Sequence, residues 1–72
     1  MNTLIPFKSR AEAIRLSRAL TRKRIAHTVI NTPRRLGVSC GLSVLFYATS
    51  LEKVNETIGE LSLATSQGIF TR

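Results

Sequence analysis

Apolar and polar positions along the chain change period repeatedly, from the short rhythm of strands to the longer one of helices. Asn2 to Phe7 is a short, mostly apolar run that predicts a first strand. Proline lacks a ladder donor and belongs at strand ends or edges, so the strand is expected to stop at Pro6. Ser9-Arg10-Ala11-Glu12 has the capping-box form, in which the Ser side chain bonds the amide three residues on and the Glu reaches back. Helical spacing follows. Ala13, Leu16, Ser17 and Leu20 share one stripe with Ile14 on its flank, and Arg15, Arg18 and Arg22 lie opposite. This helix is expected from about Arg10 to Arg22 or Lys23, with Arg22, Lys23 and Arg24 complementing the negative end of its dipole.

Ile25 to Asn31, with Ile25, Thr28, Val29 and Ile30, has the composition of a second strand. Leu42 to Ala48 is a third, alternating Leu42, Val44 and Phe46 against Ser43, Leu45 and Tyr47. A second capping box, Thr49-Ser50-Leu51-Glu52, opens a helix with Leu51, Val54, Ile58 and Leu61 inward and Glu52, Glu56 and Glu60 outward. After a turn near Thr65 to Gln67, Gly68 to Thr71 forms a short last strand. The order is β-α-β-β-α-β, an α+β, ferredoxin-like plan: a four-stranded antiparallel sheet with two helices on one face. The other sheet face is expected to be open or covered by a partner, with Leu45 and Tyr47 as candidates for a homo-oligomer contact there.

A chain of 72 residues suits a single small domain, residues 1–72, whose core is too modest for a deep substrate cleft. No apolar run approaches the roughly 20 residues that span a bilayer, and the N-terminus lacks a signal-peptide pattern. A cytoplasmic protein without a membrane segment is expected. Eleven Lys and Arg against four acids give a formal charge of +7, and the imbalance is local. From Lys8 to Arg35 the chain holds every basic residue except Lys53 and Arg72, with Glu12 as the single acid. One side therefore carries a field that attracts anions, whether nucleic acid, an acidic protein or a phosphorylated small molecule.

A single cysteine makes no internal disulfide, and one Cys with one His cannot complete a four-ligand zinc site, so no metal and no cofactor are expected. Conventional catalysis is also disfavoured: the chain shows no nucleophile–base pair within sequence reach and no phosphate loop. His27 lies in a strand and is read as a packing residue without a role.

The connection between the second and third strands runs from Thr32 to Gly41, ten residues where a hairpin needs about 2–5. Long ordered loops on a rigid scaffold concentrate function, and this one holds Cys40 with Pro33, Arg34, Arg35, Gly37 and Gly41. Pro33 fixes its own φ and keeps Thr32 extended. Gly37 and Gly41 permit conformations and close approaches closed to other residues. An arginine folded back toward Cys40 would favour thiolate over thiol, and backbone amides around Ser39-Cys40-Gly41 would add to this if they form an anion nest.

At Thr32-Pro33-Arg34, Leu36 and Ser39-Cys40-Gly41 the sequence resembles the selenium/sulfur carrier-like family of small bacterial proteins, whose pattern is Thr-Pro-Arg followed by Cys-Gly opening a strand. The resemblance extends along nearly the whole chain. It departs at Gly37 and Val38, where the family tends to carry serines, and in the more basic end of the first helix. The resemblance implies that Cys40 carries sulfur or selenium as a persulfide or selenenyl sulfide and hands it from a donor protein to an acceptor. Thr32, Pro33, Arg34, Arg35, Ser39 and Gly41 would form the binding surroundings. No second cysteine is present to resolve the adduct internally, which suits delivery over self-contained redox cycling. The alternatives are a basic nucleic-acid-binding module, for which the charge is suitable but the sequence shows no pattern of stacking aromatics, and a small regulatory interaction module.

Overall fold

In a computed structural model of the chain, residues 1–38 and 41–71 are described. The elements are β1 (Thr3–Phe7), α1 (Arg10–Arg22), β2 (His27–Asn31), β3 (Leu42–Phe46), α2 (Leu51–Glu60) and β4 (Phe70–Thr71). Single 3-10 turns at Arg34–Leu36 and Ala48–Ser50 sit before β3 and α2. The sheet order is β2-β3-β1-β4 with every neighbouring pair antiparallel. β3 thus lies between β1 and β2, the split β-α-β arrangement of a ferredoxin-like α+β fold.

The core follows from the alternation of the strands. Ile5, Phe7, Val44 and Phe46 point to one face and meet Ala13, Leu16 and Leu20 of α1 and Val54 of α2. Ile14, placed on the flank by periodicity, is 42% exposed. Ser17 turns to the sheet, where its hydroxyl bonds His27 Nε2 at 2.8 Å. The other ring nitrogen lies 2.8 Å from the Ile25 carbonyl. A carbonyl only accepts, so Nδ1 carries the proton and, in the neutral ring, Nε2 accepts from Ser17. His27 is thereby a satisfied packing residue. Thr57 also belongs to the buried side of α2. Its hydroxyl donates to the Lys53 carbonyl at 2.8 Å and accepts from Lys23 Nζ at 2.8 Å.

Both helices end alike. The Arg24 and Ile25 amides bond back to Thr21 and Leu20, and the Ser62 and Leu63 amides to Gly59 and Ile58. These are Schellman closures, with Arg24 (φ 60) and Ser62 (φ 53) in the left-handed conformation. Ile25 therefore leaves the second strand that its composition assigns it to, and drops into the core just beyond α1. Leu63 does the same after α2.

Pro6 does not end β1. It pairs with Ser43 inside a strand flanked on both sides. Its carbonyl accepts from the Gln67 amide at 2.8 Å. The N and C=O of a strand residue face the same neighbour, so the donor that proline lacks is missing on the β4 side. There the register slips: Phe7 bridges Ser66 whereas Leu4 pairs with Phe70, three steps on β1 against four opposite. This is a one-residue bulge, with Gly68 at φ 99 inside it. The regular part of β4 shrinks accordingly from the expected Gly68–Thr71 to Phe70–Thr71.

The face away from the helices is not open over its centre. Leu4, Pro6, Ser43 and Leu45 are all buried there. Leu45, expected as oligomer surface, is 4% exposed, while Tyr47 is 49% exposed. Leu36 and Val38, in the connection leaving β2, are themselves half-buried. Among the described residues no helix is long and apolar enough to cross a membrane.

Candidate functional site

The long connection is pinned at its base before it departs from the sheet. The Thr32 amide donates to the Gly41 carbonyl at 3.0 Å, and the Thr32 and Ser43 hydroxyls are 2.8 Å apart. Pro33, at φ −63 and ψ 134, then directs the chain into the 3-10 turn of Arg34, Arg35 and Leu36. That turn closes through Leu36 N–H to the Pro33 carbonyl and Gly37 N–H to the Arg34 carbonyl. Gly37 ends it at φ 68, a left-handed conformation that glycine adopts without cost. Arg34 and Arg35 are both exposed and make no side-chain hydrogen bond or ion pair among the described residues.

On the return side, Gly41 is a glycine for a different reason. A Cβ built there would collide with the Phe7 carbonyl oxygen and come within 3.5 Å of the Lys8 carbonyl. The chain can pass so close to β1 only without a side chain. Gly41 is covalently bonded to Cys40, the thiol that sequence reasoning singles out. Cys40 and Ser39 lie outside the described residues.

The contact between Gly41 and the Phe7–Lys8 backbone brings the loop to the start of α1. Lys8 and Arg10 are exposed, so the N-terminal edge of β3, the end of β1 and the opening of α1 place Lys8, Arg10, Arg34 and Arg35 around one end of the sheet. The nearest acid of α1 is already engaged. Ser9 Oγ caps the helix by accepting from the Glu12 amide at 3.2 Å, as expected. Glu12 does not reach back to Ser9, however. Its carboxylate accepts from the amides of Ala64 (3.0 Å) and Thr65 (2.8 Å) and from the Thr65 hydroxyl (2.8 Å). The Ser9 amide instead donates to Thr65 Oγ1 at 3.1 Å. These bonds, the backbone amide of Thr65 foremost, hold the Glu12 carboxyl below its ordinary pKa.

Residues 2–68 match the family described as "Putative Se/S carrier protein-like". The chain belongs to that family. No curated protein and no solved structure matches it. In this Se/S carrier-like chain, Thr32, Pro33, Arg34, Arg35 and Gly41 are brought together by the pinned loop. Sequence reasoning missed Lys8, Arg10 and the Glu12–Thr65 link. Lys8 and Arg10 were legible only as charge, because what joins them to the loop is the close approach of Gly41 to β1.

Phe7 and Phe46 face the helices in the core. On the sheet's other face the central strands carry Leu4, Pro6, Ser43 and Leu45. Stacking recognition of nucleic-acid bases needs aromatic faces at such positions, and these four supply none.

Proposed function

We propose that this chain is a carrier for activated sulfur or selenium, which it holds on Cys40 and passes to a partner protein. The observation that supports this most is the cationic end of the sheet built around Gly41, the residue bonded to Cys40, in a chain of the Se/S carrier-like family. In the loading step the Cys40 thiolate attacks the terminal sulfur of a donor persulfide. A new S–S bond forms at Cys40, the donor S–S bond breaks, and the donor's own sulfur leaves as thiolate. Unloading is the same exchange in reverse sense, with the acceptor's nucleophile taking the terminal atom. No external oxidant or reductant enters either step. Selenium follows the same course through a selenenyl sulfide.

Lys8, Arg10, Arg34 and Arg35 contribute positive potential at this end, which favours thiolate and persulfide anions over their protonated forms. The chain acts on this reading as a delivery protein and not as an enzyme.

The test is to incubate the protein with a cysteine desulfurase and unlabelled cysteine, then measure the Cys40 peptide by mass spectrometry. A gain of about 32 mass units, one sulfur atom, is expected and is removed by reducing agent or by Cys40→Ser. An unchanged mass on the unaltered protein overturns the proposal.

A further inference from the structure

The outer side of α1 is unusual for a helix whose other side is committed to the core. Arg10, Ala11, Ile14, Arg15, Arg18, Thr21 and Arg22 are exposed on it. Arg15 donates to the Leu61 carbonyl at 3.3 Å. Arg10, Arg18 and Arg22 have no ion-pair or hydrogen-bond partner for their side chains among the described residues. Like charges three and four residues apart, as Arg15, Arg18 and Arg22 are, weaken a helix. Glu12, the one acid of the helix, is turned away and engaged by Ala64 and Thr65. Arg22, in the last turn, complements the helix dipole, but fold stability does not account for Arg10 and Arg18.

Within it lies a small apolar spot. Ile14 is 42% exposed beside Ala11, one turn away on the same face, with Arg10, Arg15 and Arg18 around them. The spot lies in the half of α1 that begins at Arg10, the end where Gly41 meets the Phe7–Lys8 backbone.

We propose that this face docks an acidic amphipathic helix of a partner protein. An apolar side chain of that helix covers Ala11 and Ile14, and carboxylates at intervals of three or four residues meet Arg10, Arg18 and Arg22. Arginine's planar fork suits bidentate pairing with carboxylates. Four-residue steps rise about 6 Å on either helix, so the two charge rows stay in register. A phosphate chain would use the cations but not Ile14, and no aromatic side chain stands on this face for a base to stack on. The inference rests on the carrier reading in one respect only: it names the chemistry of the partner's docking surface, which would hold donor or acceptor beside the loop that carries Cys40.

Binding is tested on the Cys40→Ser protein, which cannot carry sulfur, so that failure to dock and failure to load are separate results. The probe is a fluorescent synthetic helix of about 20 residues, with glutamates flanking a leucine stripe. Anisotropy is followed at about 50 and 200 mM salt, with a single-stranded RNA of similar length as competitor. Arg18→Gln with Arg22→Gln is expected to weaken peptide binding about tenfold. Ile14→Ser is expected to weaken it about fivefold through lost apolar contact. Arg24→Gln with Lys53→Gln removes the same charge elsewhere and is expected to change it less than about twofold. All these positions are exposed, and circular dichroism verifies the fold of each variant. Absence of peptide binding, equal losses in the two double variants, indifference to Ile14→Ser, or displacement of the peptide by RNA at lower concentration than by unlabelled peptide would each overturn the proposal.

Discussion

The two halves of the molecule, β1-α1-β2 and β3-α2-β4, close their helices identically and open them differently. At both C-termini a non-glycine residue takes the left-handed conformation and the next residue, Ile25 or Leu63, is buried. At the N-termini, Ser9 caps α1 through its side chain, while α2 follows a 3-10 turn and Ser50 makes no side-chain cap. The endings are alike because a buried residue must follow the helix at once, and the Schellman closure is the short route into the core. The openings differ because only the first has a distant strap to complete it: Thr65 serves both the Ser9 amide and the Glu12 carboxylate. The same contrast extends to charge. α1 turns arginines outward and α2 turns glutamates outward, joined across the helix pair by Lys23 and Glu60 at 2.5 Å. That bridge is largely exposed and adds little stability.

The likeness of the two endings is broken most severely at the buried residues themselves. Ile25→Ala and Leu63→Ala should each cost about 2–4 kcal/mol in urea denaturation, and similar losses in both are the expected outcome. A small loss in only one would show that its closure is ornamental. The difference between the openings is probed by Ser9→Ala, which should cost about 1 kcal/mol, against Ser50→Ala, which should cost within about 0.5 kcal/mol of nothing. Equal losses would erase the asymmetry. Arg24→Gly and Ser62→Gly sharpen the comparison from the other side. Each removes a side chain from a left-handed position and should stabilise the protein by about 0.5 kcal/mol, the relief of backbone strain exceeding the entropy that glycine adds to the unfolded chain. The mildest effect is that of pH on the strap. Glu12 is held below its ordinary value of 4.5 in the folded chain, so its contribution is complete above that value and is lost as pH falls through the folded pKa. Glu12→Gln should flatten the acid limb of a plot of melting temperature against pH, with little change in that limb for Glu52→Gln.

What the sequence reveals is what lies within a few residues of itself. The span of α1, the Ser9 cap, the alternation of β3 and the order of the elements are all local patterns, and all are present in the fold. The partner of Glu12 lies 53 positions away at Thr65, and nothing near Glu12 announces it. The second capping box looks equal to the first on paper, yet the Ala48–Ser50 turn takes the chain into α2 without it. Pro6 is misread for the same reason: a rule about strand edges cannot know that a bulge opposite removes the need for a donor. Thr57 is hidden by its polarity, since its burial depends on hydrogen bonds to Lys53 and to Lys23, the latter 34 positions away. At the candidate site, the loop, its two arginines and its glycines were legible. The reason Gly41 must be glycine was not, because the Phe7 carbonyl that excludes a side chain belongs to another strand.

The bulge opposite Pro6 bears on how the sheet meets other chains. A strand that adds to a sheet needs a straight row of free donors and acceptors to copy. β4 offers two regular residues, then a left-handed glycine and a slipped register, so growth from that edge is interrupted almost as soon as it begins. The opposite edge, β2, runs unbroken from His27 to Asn31 with β3 on its inner side only. Any intermolecular strand pairing, including misassembly at high concentration, should therefore be polarised toward β2, and a lysine placed at exposed Thr28 is the substitution that would blunt it.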